Sequence, residues 1–419
     1  MTLRPEKTKL QAFCTSYSEM EAYYAKTVSP INMDGKPVNF VEKAEHVGVL
    51  RSSSGNLPHI SNRIASHKRA LAAVLPVGLA RRHRGNPASS IIISNIYATP
   101  VLFSGLSSLV LKTTEIALIN QYMKETTQRL LKLMEKSPPC VVAFMAGQLP
   151  GIAILHIKQL ALFGMVARLP ENVLNKHAHN ILTSAKPSAF SWFQQIRDLC
   201  IQYMLPHPLS ILQNPVRKQT YNKLVKSKVT DYWEQKLRYQ ATSLTSAPYF
   251  KPGYMSLSKP HPMLFACGSN PFEYNKAVIT ARMLSGRYPT DKLQRHWSQN
   301  QSGFCLLPEC AQSESLGTLE HLLLYCTALK NTRRNLLRLA YEVASESPHL
   351  YSTLLNTLLS GKETEIMQML LDCTTMPSII SLTQLVGPAT RDRLLYFGRT
   401  WCYTVHRERM KQIGLFCYR

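Results

Sequence analysis

The chain has 419 residues, 45% of them hydrophobic, and carries a net charge of +24 because 49 Lys and Arg outnumber 25 Asp and Glu. Such a charge disfavours small neutral ligands and favours phosphate backbones or anionic membrane surfaces as partners. The ten cysteines are too sparse for a disulfide scaffold, and the N-terminal segment MTLRPEKTKL has no apolar core. We therefore expect a nuclear or cytoplasmic protein that is not secreted.

The pattern of residues predicts a mainly α fold with a small N-terminal β-hairpin, an α+β arrangement dominated by helices. Residues 1–49 indicate strand and turn, because INMDGKPVNF places Asp34-Gly35 between alternating residues. Residues 50–210 predict a helical domain, because apolar residues recur at helical spacing. The helical segments of this domain are NRIASHKRALAAVL, TTEIALINQYMKETTQRLLKLMEK and AGQLPGIAILHIKQLALFGMVARL.

Residues 89–111 carry no charge and are nearly long enough to span a bilayer. Asn95, Thr99, Pro100 and several serines interrupt the apolar run. We therefore predict a buried pair of helices broken at Pro100. A membrane span is the alternative.

The remaining chain divides by composition. Residues 211–270 combine prolines, lysines and aromatics and predict a basic linker with one helical piece, RKQTYNKLVKSKVTDYWEQKLRY. Residues 271–345 and 346–419 predict a helical segment around a Cys/His cluster and a helical tail. The tail's last helix carries five arginines among aromatics, which suits single-stranded nucleic acid or, equally, a helix that packs its rings into a core. These arginines are Arg391, Arg393, Arg399, Arg407 and Arg409.

A basic face is predicted in the N-terminal half. The 69 residues from His46 to Thr114 contain no Asp or Glu and eight Lys or Arg. Phosphate groups attract such a cluster, and binding of this kind weakens with salt. The alternative is a solvated surface that only keeps the protein soluble. The candidate phosphate-binding residues are Arg63, Lys68, Arg69, Arg81, Arg82 and Arg84.

Cys305, Cys310, His321 and Cys326 follow the spacing Cys-x4-Cys-x10-His-x4-Cys. Three thiolates and one imidazole suit a structural zinc ion and leave no open coordination position for catalysis. His321 and Cys326 would lie about 140° apart on an ideal helix, so the chain must tighten or leave the helix between them. The alternatives are three unrelated buried thiols, or a zinc site in which Cys267 or His296 replaces one ligand.

Several segments resemble the C-terminal half of non-LTR (LINE-type) retrotransposon reverse transcriptases. LEHLLLYC after CLLPEC resembles their C-terminal Cys-Cys-His-Cys knuckle, although both gaps before the histidine are longer than usual. PFEYNKAVITARMLSGRYPTD is similar to the helix before that knuckle, and HVGVLRSSSGN, ARRHRGNPASS and IYATPVLFSGLSSLVL resemble the polymerase thumb. LRPEKTKLQAF, with Lys7-Thr8, and INMDGKPVNFVEKAEHVGV resemble the last palm strand and the primer grip.

The resemblance implies a palm remnant at 1–49, a thumb at 50–210 and a zinc knuckle within 271–345. It implies RNA, DNA or their hybrid as partners, association with full-length element proteins, and Mg²⁺ only in the intact polymerase. Polymerisation by this family needs metal ions on carboxylates that include an adjacent Asp-Asp pair. The six aspartates include no adjacent pair, so we expect no catalytic residue here and no polymerisation by this chain alone. A non-enzymatic zinc-binding interaction protein and a basic membrane protein are the rival interpretations.

Overall fold

The structure is a computed structural model. It describes residues 9–10, 32–33, 36–37, 39–46, 48–53, 55–74, 86–169, 173–184, 191–253, 255–265, 270–295, 302–311, 314–345 and 348–414. The protein is mainly α-helical with a small antiparallel β element near the N-terminus, so the predicted fold class is confirmed.

Six short strands form two-stranded sheets in the described residues of the N-terminal region. They are β1 Lys9–Leu10, β2 Asn32–Met33, β3 Lys36–Pro37, β4 Asn39–Phe40, β5 Lys43–His46 and β6 Val49–Ser52. Strands β1 and β4 are parallel, whereas β2 pairs with β3 and β5 with β6 in antiparallel register. Met33 lies opposite Lys36, so the predicted antiparallel hairpin is confirmed in its two strands; its turn residues Asp34 and Gly35 lie outside the described residues. Lys7 and Thr8 also lie outside them.

Helices make up the rest of the described chain. The first ten are α1 Leu57–Val74, α2 Pro87–Ile93, α3 Thr99–Leu102, α4 Thr113–Leu130, α5 Pro139–Ala146, α6 Gly151–Ala167, α7 Val173–Ser184, α8 Trp192–Gln202, α9 Pro208–Gln213 and α10 Lys218–Thr242. The others are α11 Pro262–Phe265, α12 Pro271–Leu284, α13 Asp291–Arg295, α14 Pro308–Ala311, α15 Lys330–Ser345, α16 Pro348–Leu359, α17 Glu363–Asp372, α18 Pro377–Val386 and α19 Pro388–Gln412. Proline in the first turn starts α5, α9, α12, α18 and α19, where its missing N–H has no helical partner to lose.

Contacts divide the chain into two compact units. The first comprises Met1–Leu75, Ile93–Met123 and Pro150–Trp233, and the second comprises Pro76–Ile92, Lys124–Leu149 and Glu234–Arg419. Each unit draws on stretches far apart in sequence. This division by contacts does not test the five segments predicted from composition, which stay a prediction.

The core of the first unit forms where α1 meets the segment 99–123 and α6. Its buried side chains are Ile60, Leu102, Phe103, Leu106, Leu111, Ile119, Met123 and Leu155. Strand β6 is tied to α1, because the Leu50 amide donates to Nδ1 of His59 over 3.1 Å. On α1, Ile60 is buried in this core and Ile64 packs against it while half-buried.

The uncharged run 89–111 is helical up to Leu102, and the helix does not break at Pro100 as predicted. A π-helical turn, Ser94–Ala98, joins α2 to α3, and Pro100 lies in the first turn of α3, where a proline is tolerated. The helix ends after Leu102, before Gly105 takes a left-handed conformation. Among the described helices, no single one is long and apolar enough to cross a membrane, while two bent pairs could by length and composition only.

The helical piece predicted within residues 211–270 is confirmed as α10, a helix of 25 residues. Its side chains are buried at every fourth position, so one face of this helix is packed against the protein. The buried residues are Tyr221, Val225, Val229, Trp233, Leu237 and Ala241.

The second unit is organised around the C-terminal helix α19, which contacts α12, α15, α17 and α18. Helices α19 and α17 approach closely at Gly398, where a Cβ atom would lie 2.4 Å from the carbonyl oxygen of Leu370. Only glycine fits this contact without a backbone shift. The close approach lets α19 form the centre of the unit rather than an exposed tail.

Two of the five tail arginines are therefore buried. Arg399 and Arg409 are each 2% exposed. Arg399 donates to the Met263 carbonyl over 3.0 Å, and Arg409 donates to Asp291 over 2.7 Å. For these two residues the helix-packing interpretation holds, because a buried and paired guanidinium cannot contact a phosphate backbone.

Candidate metal centre

The four residues singled out by spacing converge in the second unit. One ligand atom from each of Cys305, Cys310, His321 and Cys326 lies within 4.8 Å of all the others. The Sγ atom of Cys326 is 3.4 Å from that of Cys310 and 4.0 Å from that of Cys305. Thiolates at about 2.3 Å from a tetrahedral zinc ion lie roughly 3.8 Å apart. The observed spacings bracket that value.

Two short backbone pairings position the first two cysteines. The Cys305 amide donates to the Ser315 carbonyl over 2.8 Å, and Phe304 pairs with Leu316 in an isolated antiparallel bridge. Cys310 lies in the short helix α14, and its amide donates to the Leu307 carbonyl over 2.8 Å. The chain at Ser315 and Leu316 thus runs back beside Phe304 and Cys305, and both thiols are buried.

His321 and Cys326 are brought together by a π-helical turn, His321–Tyr325. The Cys326 amide donates to the His321 carbonyl over 2.7 Å, which is the i→i+5 bond of a π turn. The sequence argument expected a tighter turn or a departure from the helix. The chain instead widens, which offsets the angular separation of two residues five apart, and it leaves the helix only at Cys326.

The same turn is capped at its start by Thr318. Its side-chain oxygen accepts from the His321 amide over 3.1 Å, and its carbonyl accepts from the Leu322 amide over 3.1 Å. A threonine in this position satisfies an amide that has no partner within the turn. The cap fixes the direction in which His321 enters the cluster.

Other elements of the second unit contact the 317–326 segment, which carries His321 and Cys326. Nε1 of Trp401, on α19, donates to the Leu323 carbonyl inside the π turn over 3.2 Å. Gly317 lies against Asp291, where a Cβ atom would approach the Asp291 Cβ to 2.5 Å. The Tyr249 hydroxyl donates to Glu320 over 2.8 Å. Three separated parts of the unit therefore hold the 317–326 segment in place.

The electrostatics of the cluster favour a thiolate. Hydrogen bonding from Cys326, with the Leu307 amide adding to it, lowers the pKa of the Cys305 thiol well below its usual range, and the same contact raises the pKa of Cys326. The interaction with Cys305 raises the pKa of His321. The thiolate is the form in which cysteine binds metal, so the fold already stabilises one ligand in its binding state.

The residues present fit a metal ion. All three cysteines are buried, and Nε2 of His321 is buried with no hydrogen-bond partner among the described residues. Buried polar atoms are rarely left unpaired, and a metal bond would satisfy this one. The four side chains thus form a cluster that could hold a metal ion, consistent with structural zinc.

The predicted phosphate-binding residues do not form a cluster like that of the Cys/His residues. Lys68 and Arg69 are exposed on α1, while Arg63 is half-buried. Arg81, Arg82 and Arg84 lie outside the described residues, as do the substitute ligands Cys267 and His296. The described members share one helix but do not converge on a common point as the Cys/His residues do.

Sequence reasoning missed three contributors to the cluster. Thr318 could have been found, because a threonine three residues before His321 is a capping signal. Thr327, whose hydroxyl is 3.0 Å from the Cys310 Sγ, and Trp401 had no signal in the local pattern. Trp401 is 75 residues from Cys326 in sequence, and only the fold brings α19 beneath the π turn.

No match for this chain is found among protein families, curated proteins or solved structures.

Proposed function

We propose that this chain is a zinc-stabilised nucleic-acid-binding protein, and that it is the C-terminal part of a non-LTR retrotransposon reverse transcriptase. The observation that carries the proposal is the convergence of Cys305, Cys310, His321 and Cys326 in a buried cluster. This donor set would hold zinc in a closed site, whose contribution is to folding rather than to chemistry. The residues of the knuckle are also those that the resemblance implies.

The charge of the chain supports nucleic acid as the partner. A net charge of +24 attracts phosphate backbones through release of bound counterions. On α1, Lys68 and Arg69 are exposed in the acid-free stretch from His46 to Thr114. They would contact phosphates and contribute affinity without sequence preference.

The knuckle itself exposes apolar and aromatic surface beside the buried ligands. Leu306, Leu316 and Tyr325 are 52%, 46% and 54% exposed, respectively. Unpaired bases stack on exposed rings, and each such contact is worth about 1–3 kcal/mol. We assign the grip on single-stranded RNA or DNA to this surface, with Tyr325 as its stacking residue.

The proposal is tested by binding of the full chain to fluorescent single-stranded RNA, single-stranded DNA and an RNA–DNA hybrid across a salt series. The zinc-loaded chain should bind single strands with an affinity that falls steeply as salt rises. Tyr325→Ala should weaken single-strand binding about tenfold or more, at the lower end of a stacking contribution, while the zinc content stays at one per chain.

Tyr239→Ala is the matched control, because Tyr239 is a tyrosine on α10 that is 79% exposed. It should leave binding unchanged. Equal losses in both variants would remove the assignment to the knuckle. A chain that binds none of the three nucleic acids at low salt would contradict the proposed function and favour a zinc-binding interaction protein.

A further inference from the structure

A pocket of about 320 Å³ adjoins the segment that leads into the His321 ligand, and all of its lining belongs to the second unit. Residues 318–320 form one wall of the pocket. The loop 245–249 and residues of α12 and α13 supply the others. Ligand pockets in proteins begin at about 300 Å³, so this one suits a small ligand or a single unit of a chain.

Backbone contacts fix two walls of this pocket. Gly286, just after α12, has a positive φ, and a Cβ atom there would overlap the Ser246 carbonyl oxygen. Only glycine therefore lets the loop 245–249 pack this closely. At the opposite wall the Lys292 amide donates to the Gly317 carbonyl over 3.1 Å, which joins α13 to the knuckle. The pocket is thus formed by the fold itself, as ligand pockets usually are.

The lining combines apolar surface with charged groups of both signs. Met283 and Leu293 contribute apolar side chains. Glu320 is half-buried, and its Oε1 atom accepts from the Tyr249 hydroxyl over 2.8 Å. Because a carboxylate offers about four acceptor sites, Glu320 retains sites for a ligand. Lys292 is exposed, so its ammonium group is open to an anion.

We propose that this pocket takes one unpaired base of a bound single strand, with Glu320 as the acceptor for an amino group of the base and Lys292 as the contact for a phosphate. The inference rests on the proposed nucleic-acid binding and deepens it, because it assigns a base-binding site and a base preference. An unpaired base has apolar faces and a polar edge, and the lining offers a partner for each.

The carboxylate sets the preference among bases. Adenine, cytosine and guanine carry an exocyclic amino group, which donates to a carboxylate. Uracil carries none, and its imino N–H lies between two carbonyl oxygens that a carboxylate repels. Strands of adenine or cytosine therefore bind more tightly than strands of uracil. Lys292 adds affinity without preference, because a phosphate carries no sequence information.

The test measures binding of the full chain to short labelled oligo(A), oligo(C) and oligo(U) of equal length. We expect oligo(U) to bind about tenfold more weakly than the other two, as expected for one lost hydrogen bond to a charged group. Glu320→Gln, which keeps an acceptor for Tyr249 but loses the charge, should remove this difference. Glu309→Gln, at an exposed glutamate of the knuckle outside the lining, should retain it.

A second variant closes the pocket without changing Glu320. Thr245 is exposed and lines the pocket, whereas Thr242, at the end of α10, is exposed and does not. Thr245→Trp should lower the affinity for oligo(C) to that for oligo(U), and Thr242→Trp should leave both unchanged.

Equal affinities of the unsubstituted chain for the three strands would overturn the base pocket, as would a preference that survives in either Glu320→Gln or Thr245→Trp. The proposed nucleic-acid binding would stand in both cases. An unsubstituted chain that binds none of the strands at low salt would instead overturn the proposed function, and the base pocket with it.

Discussion

The Cys/His cluster and the basic face of α1 were both predicted from sequence, and they differ in what the fold adds. At the cluster, four side chains spread over 22 positions of the chain from Cys305 to Cys326 meet within 4.8 Å. At α1, Lys68 and Arg69 are exposed and do not converge on a common point. A metal needs its ligands to converge, whereas a phosphate backbone needs only accessible positive charge.

The structure supports the Cys/His cluster more directly than it supports the basic face of α1. The convergence of four potential ligand atoms can be measured in the structure and is consistent with a metal site. Exposed charge is common on any protein surface. The same distinction separates the tail arginines, since Arg399 and Arg409 are buried in ion pairs while Arg393 and Arg407 are exposed.

The largest expected effect is loss of a ligand. Cys326→Ser should abolish zinc binding and unfold the 302–345 segment, because a structural zinc site contributes roughly 10–16 kcal/mol of binding free energy to folding. Native mass spectrometry and thermal unfolding measure both changes. Cys200→Ser, a change at a buried cysteine outside the cluster, should keep one zinc per chain. A Cys326→Ser chain that still holds zinc would show that Cys326 is not a required ligand.

A buried arginine should matter more than an exposed one on the same helix. Arg409→Met leaves the carboxylate of Asp291, which is 5% exposed, without the partner it contacts over 2.7 Å. We expect a loss of about 3–5 kcal/mol in the free energy of unfolding, because a buried charge stays uncompensated. Urea unfolding measures it. Arg407→Met, at an exposed position, should change stability by about 0.5 kcal/mol or less, and similar losses in both variants would contradict this account.

Acid should weaken the first unit through a buried histidine. Burial lowers the pKa of His156 from 6.5 to about 4, and its Nδ1 atom lies 2.7 Å from the Tyr203 hydroxyl. Since the unfolded chain takes up this proton first, the stabilisation is present above pH 6.5 and is lost as the pH falls towards 4, by at most about 3 kcal/mol.

Urea unfolding between pH 7 and 4 measures this loss. His156→Gln should flatten the dependence of stability on pH, while His349→Gln, at an exposed position, should leave it unchanged. An unaltered pH profile for His156→Gln would show that other groups account for the acid sensitivity.

The smallest effect on stability is expected at the basic face. Lys68→Gln combined with Arg69→Gln should change the free energy of unfolding by about 0.5 kcal/mol or less, because both side chains are exposed. The slope of log affinity against log salt for duplex binding should fall by about two, since each lost phosphate contact removes roughly 0.9. Lys362→Gln, an exposed lysine of the second unit, is the control. An unchanged slope would assign phosphate binding to other residues.

Local patterns in the sequence predicted much of the secondary structure. The Asp34-Gly35 hairpin, helix α1 and helix α10 depend on turn chemistry and on periodic apolar residues, which act over a few positions. Pro100 shows where such reasoning fails. A proline is tolerated in the first turn of an α-helix. Helix α3 begins at Thr99, directly after the π-helical turn Ser94–Ala98, so Pro100 lies in its first turn.

The sequence by itself determined the four-residue Cys/His pattern, the excess of positive charge and the mainly helical class, because each follows from residue identity and short-range spacing. Only the tertiary structure decided how His321 and Cys326 share a site, since the spacing of the two residues did not specify the π turn that brings them together. It also decided that Trp401 supports the cluster and that Arg399 and Arg409 are buried. Those contacts join residues 78 to 136 positions apart, and no local pattern encodes a pairing over such a distance.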